Sequence, residues 1–106
     1  MSDVKFTDRS ADALRELETR KAQALEAIGA RAETHAKDLT PVDTGNLRNS
    51  MAHAVSGDSA YIGSNVEYAP YVEFGTSRTN AHHMLKKAAT EHGEEYKAIA
   101  RAAFGK

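Results

Sequence analysis

The chain has no cysteine, no long apolar run and almost no net charge, and each absence removes a class of function. Without cysteine there are no disulfides, no thiolate nucleophile and no zinc site built on thiolates. No stretch approaches the roughly 18–20 consecutive apolar residues of a membrane-spanning helix, so no membrane partner is expected. The start, Met1 to Asp8, lacks the basic segment and apolar middle of a secretory signal, which argues against export by that route. A formal charge of −1 argues against a general polyanion binder, although five histidines make even its sign depend on pH. Internal repeats, low-complexity tracts and linkers are absent too. What remains is 106 residues, 41% hydrophobic and 27% charged, the balance of a soluble chain that buries one modest core. It reads as a single domain over residues 1–106.

Hydrophobic periodicity divides the chain into a few elements. Leu14, Leu17, Leu25, Ile28, Ala32, Ala36 and Leu39 recur at spacings of three and four, which predicts a helix over about 8–39 capped by Asp8 or Ser10 and stopped by Pro41. Such a helix is about 45 Å long, more than the rest of so small a chain covers, so part of it projects or meets a partner. Gly29 inside it costs about 1 kcal/mol relative to alanine and marks a kink or a close approach. Met51, His53 and Val55 then alternate with Ala52, Ala54 and Ser56, Gly57-Asp58-Ser59 supplies a turn, and Ala60 to Gly63 resume an extended pattern. This predicts a hairpin over about 50–66, which is marginal in water without a helix or further strands against it. A short helix over about 67–74 follows, with Asn65 as a candidate cap, Pro70 in its first turn and Gly75 as a left-handed stop. A closing helix over about 82–104 has Gly93 as a weak point. The fold class is therefore α+β.

Two segments stand out. In Thr40-Pro-Val-Asp-Thr-Gly-Asn-Leu-Arg48, Asp43 or Thr44 can accept a backbone N–H in a turn or cap, and Gly45 relaxes the backbone. One glycine with no lysine and no preceding strand does not make a phosphate-binding loop. Arg48 can pair with a carboxylate, and Glu73 in the second segment is the candidate. That second segment, Tyr68-Ala-Pro-Tyr-Val-Glu-Phe-Gly-Thr76, concentrates aromatic bulk around one acid. Tyr61, Tyr68, Tyr71 and Phe74 read as core or as subunit contacts; Glu67 and Glu73 beside them disfavour base stacking. Arg78, Lys86, Lys87 and Arg101 read as a solvated face or, in a ring, as a lining for DNA. A metal held by His35, His53 and His92, or a Ser50–His53–Asp43 triad, can be written down. The histidines sit on three separate elements, and the serine has no nucleophile elbow. No cofactor is implied.

The two segments in this order, with a hairpin between them and a helix after them, resemble the small neck and tail-completion proteins of long-tailed bacteriophages, also called minor tail or head-tail joining components. The resemblance covers residues from about 35 to 90. It implies an α+β fold with the first and last helices packed on a small sheet, and a non-catalytic subunit of a homomeric ring, a hexamer, at the head-tail junction. Head-closure or connector proteins would be partners on one side, tail-tube or tail-terminator proteins on the other, and DNA would pass through the lumen without sequence preference. The location implied is the virion, with assembly in the host cytoplasm. The residues carried over are Asp43, Thr44, Gly45, Leu47 and Arg48, then Tyr68, Ala69, Val72, Glu73, Phe74, Gly75 and Thr76, with Tyr71 beside them. They would shape the fold and its interfaces. After the Gly-Thr the chain departs from the family: relatives usually show a proline-aromatic-leucine run that opens the last helix, and this sequence has His82-His83-Met84-Leu85.

Overall fold

A computed structural model describes residues 2–41, 45–77 and 80–105, so Asp43 and Thr44 of the first motif and Arg78 of the basic set lie outside the described residues. Helix α1 runs Ser2–Leu39. It begins ahead of the expected caps at Asp8 and Ser10 because no glycine or proline interrupts residues 2–8. Its C-terminal half buries a stripe of small residues, Ala24, Gly29, Ala32 and Ala36, and ends at Thr40, whose hydroxyl donates to the Ala36 carbonyl at 2.6 Å. The stripe lets the other elements approach the helix axis closely.

A short helix, α2 (Gly45–Ser50), follows the Pro41 turn where the sequence suggested only a turn or cap. It is one and a half turns long, too short to show a periodicity of its own. Strands β1 (Ala52–Ser56) and β2 (Ser59–Gly63) form the expected hairpin in antiparallel register, with His53 opposite Ile62 and Ala54 opposite Tyr61. Gly57 takes φ 59° at the first loop position, the value that mirror-image hairpin turns reserve for glycine. One sheet face lies on α1, and α1 covers the marginal pair of strands.

Helix α3 (Ala69–Phe74) has Pro70 in its first turn, as expected, but its N-cap is Tyr68 and not Asn65. Ser64 holds the approach instead: its hydroxyl accepts the Val66 N–H at 3.1 Å and lies 2.5 Å from the Ser50 hydroxyl. Gly75 does stop the helix with positive φ, at φ 80° and ψ 176°, a region essentially confined to glycine. The closing helix is two helices, α4 (Met84–Thr90) and α5 (Gly93–Phe104). The break falls just before Gly93, and it turns His92 onto His35 of α1, the two rings stacking at 3.5 Å within 2° of parallel. The core is small: Ala36, Leu47, Met51, Ala69, Met84 and Ala88, with Leu39, Ile62, Val66, Val72 and Leu85 around it.

Candidate functional site

Helix α3 carries the second motif, and its faces are inverted relative to simple hydrophobic sorting. Ala69 and Glu73, one turn apart, point inward, and Glu73 is only 5% exposed. Tyr71 and Phe74 point outward at 61% and 72% exposure, and Tyr61 and Tyr68 are exposed as well. The aromatic cluster is therefore not part of the chain's core.

A buried carboxylate needs partners, and Glu73 finds them in the first turn of α4. Its Oε1 accepts the Leu85 N–H at 2.8 Å and its Oε2 accepts the Lys86 N–H at 3.1 Å. A helix N-terminus has exactly such unpaired N–H groups, and its dipole favours a negative charge there. The backbone completes the clamp: His82 N–H donates to the Val72 carbonyl at 2.9 Å and His83 N–H to the Glu73 carbonyl at 3.0 Å. His83 takes φ 51°, left-handed for a non-glycine residue, so that its carbonyl can accept the Lys87 N–H and open α4.

The clamp fixes α3 against α4 and leaves a groove of about 500 Å³ between them and β2. Ile62, Ala69, Pro70, Phe74, Leu85 and Ala89 line it, with Lys86 at its lip. The outer face of the hairpin is a second, shallower concavity of about 420 Å³, where Ala52, Ala54 and Gly63 surround Tyr61.

The first motif plays a different part. Leu47 is fully buried and belongs to the core. Arg48 does not meet Glu73 within the chain: its guanidinium lies 3.9 Å from Asp38, while Glu73 is occupied by α4. Gly45 is exposed at the start of α2. Of the basic residues, Lys86 and Lys87 sit on α4 and Arg101 on α5.

His53, His35 and His92 are structural ties. His53 reaches from β1 across Gly29, its Nδ1 2.7 Å from Glu33 and its Nε2 2.6 Å from Glu26. A Cβ at residue 29 would stand 2.7 Å from the His53 ring, so the glycine is what admits the imidazole. Glu33, and then Glu26, raise the His53 pKa, while His53 and then Lys37 lower that of Glu33. At the hairpin tip Asp58 lies 2.6 Å from Lys21, whose pKa is pushed up to about 12 by Asp58 and then Glu18. His35 bonds Glu95 at 2.7 Å beside Arg31, and these two partners, His35 first, lower the Glu95 pKa. Ser50 and His53 do not form a catalytic pair, because the Ser50 hydroxyl donates to the Leu47 carbonyl and both His53 nitrogens face glutamates. No group of three or more potential ligands among the described residues could hold a metal ion.

Residues 5–75, more than half of the chain, match the model of a family described as "Bacteriophage HK97-gp10, putative tail-component". The chain belongs to the HK97-gp10-like family. The matched span contains the first motif, the hairpin, α3 and the second motif as far as Gly75, so α4, which completes the Glu73 clamp, lies beyond it. No curated protein and no solved structure matches the chain. As an HK97-gp10-like protein it is a structural component of a phage tail, located in the virion, and it works through contacts with other phage structural proteins. No helix among the described residues is long and apolar enough to cross a membrane.

Proposed function

We propose that this HK97-gp10-like chain is a neck subunit, forming a homomeric ring, a hexamer, that completes the tail and joins it to the head. The observation that carries this reading is the inverted α3: aromatic bulk is held outward on a helix whose orientation a buried carboxylate fixes. Exposed tyrosine and phenylalanine on a rigid support are the usual anchors of protein contacts. The ring has no catalytic task. One of its faces meets head-closure or connector proteins, the other the tail tube or its terminator, and the lumen passes DNA. Lys87 and Arg101, together with Arg78, are the proposed lining, and Asp43, Thr44, Gly45, Arg48 and Thr76 the proposed shapers of the subunit contacts. Assembly takes place in the host cytoplasm. Electron microscopy of particles made without this protein tests the reading: unjoined heads and tails are expected, and normal joined particles would refute it.

A further inference from the structure

The stretch of α1 before Arg20 is little covered by the rest of the described residues. Residues 10–19 are all exposed, yet Leu14 and Leu17 lie on the stripe that becomes buried from Ala24 onward. Phe104, at the end of α5, shares a shallow concavity of about 360 Å³ with Ala13 and Leu17. The molecule measures 71 × 24 × 20 Å and has a radius of gyration of 18.6 Å, where a compact chain of this length has about 13 Å. Its surface is 7471 Å², about 1,700 Å² more than the roughly 5,800 Å² of a compact 11.5-kDa monomer. A stable interface takes roughly 800 Å² from each partner, so the excess matches what one subunit would lose through two interfaces of that size.

Both halves of such an interface are present on this one chain. The arm offers Leu14 and Leu17 as helical anchors, with Glu18, which also lies 2.8 Å from Lys21, one turn from Leu14. The groove between β2, α3 and α4 offers an apolar floor, Phe74 as a wall, and Lys86 at the lip to face the acid. The arm cannot enter its own groove. Leu14 lies fifteen residues, about 22 Å of helix, before Gly29, where the His53–Ile62 rung of the hairpin packs.

We infer that Leu14 and Leu17 of one subunit seat in the Ile62–Phe74–Leu85 groove of a second copy, in a head-to-tail contact. Such a heterologous contact repeats, and closes into a ring when its rotation allows. The inference rests on the ring reading above and names the surfaces that build the ring. It also explains why the aromatic wall of α3 and the leucines of α1 are exposed in one chain.

The cysteine-free sequence makes the test clean. Leu14→Cys and Phe74→Cys, both at exposed positions, are prepared separately, mixed at concentrations up to millimolar, and treated with a short bismaleimide. The mixture is expected to give about tenfold more cross-linked dimer than either variant alone, because a docked contact raises the local concentration of the two thiols. The double variant should give a ladder of higher oligomers. Leu17→Cys with Ala89→Cys provides an independent pair across the same contact. Self-linking of Leu14→Cys as the dominant product would show an arm-to-arm dimer and overturn the inference. So would failure of both pairs to link. Oligomers of the unmodified protein by native mass spectrometry, without these cross-links, would leave the ring standing and remove only the arm-in-groove contact.

Discussion

The two halves of α1 are built in opposite ways. From Ala24 to Ala36 the helix is packed against the hairpin, α4 and α5, yet it buries mainly alanine and glycine. From Ser10 to Thr19 it packs against almost nothing, yet it carries Leu14 and Leu17 at 62% and 50% exposure. An isolated small protein would do the reverse, since its large apolar side chains give the most stabilisation when buried. Helix α3 repeats the pattern, with Ala69 and Glu73 inside and Tyr71 and Phe74 outside. The small inward residues let elements come close, and the large outward ones are the surfaces proposed above for contacts between chains. Packing and exposed apolar bulk thus fall on different parts of the same helices.

The contrast can be tested by truncating each side in turn. The largest effect is expected at Leu47, fully buried in α2: Leu47→Ala should cost about 2–5 kcal/mol in chemical denaturation of the isolated protein. Glu73→Ala comes next, at about 2–3 kcal/mol, because it strips the Leu85 and Lys86 N–H groups of their acceptor. Glu73→Gln should recover part of that, and hydrogen exchange at Leu85 and Lys86 would locate the loss in α4. A third change probes the close approach. Gly29→Ala gains about 1 kcal/mol of helix propensity, but its methyl group collides with a His53 ring held by two glutamates. A net loss of about 1 kcal/mol is expected, against the helix-propensity trend. Unchanged or raised stability would falsify the account of that glycine.

His53→Gln should have a smaller effect, and one that varies with pH. The folded pKa of His53 is raised above its ordinary 6.5, so its contribution is complete below that value and fades as pH rises through the raised one. Glu33 is lowered from its ordinary 4.5, so its contribution holds above 4.5 and is lost as pH falls through the lowered value. The difference in melting temperature between the parent chain and His53→Gln should therefore be widest between about pH 4.5 and 6.5 and shrink toward alkaline pH. A difference that grows toward alkaline pH would contradict the pairing of His53 with Glu33 and Glu26. Smallest of all, Leu14→Ala should change the stability of the isolated subunit by less than about 0.5 kcal/mol.

Much of this architecture was legible in local sequence. Alternation from Met51 to Val55 and the Gly57-Asp58 turn located the hairpin, Pro41 ended α1, and Gly75 ended α3, because each signal is steric and acts on its neighbours. The excess length of α1 was legible too, from a helix longer than the chain could cover. Other features depended on partners far away in sequence. Helix α2 was too short to show a period. The break before Gly93 was visible only as a weak point, since the His35 ring that His92 stacks on lies on α1. Arg48 looked like the partner of Glu73 because a lone acid among apolar residues implies a cation. Helix α4 supplies the same electrostatic compensation from backbone N–H groups, which no residue type announces.

The sequence by itself determined the long first helix, the hairpin and the short helix with Pro70 in its first turn, that thiolate chemistry is absent, and that the chain joins the HK97-gp10-like family. Tertiary structure alone decided which way the second motif faces. A helix of six residues with apolar groups on most sides has no preferred inward face of its own. The choice fell to the carboxylate of Glu73, whose burial is tolerable only against the N-terminus of α4, and that requirement turned Tyr71 and Phe74 outward.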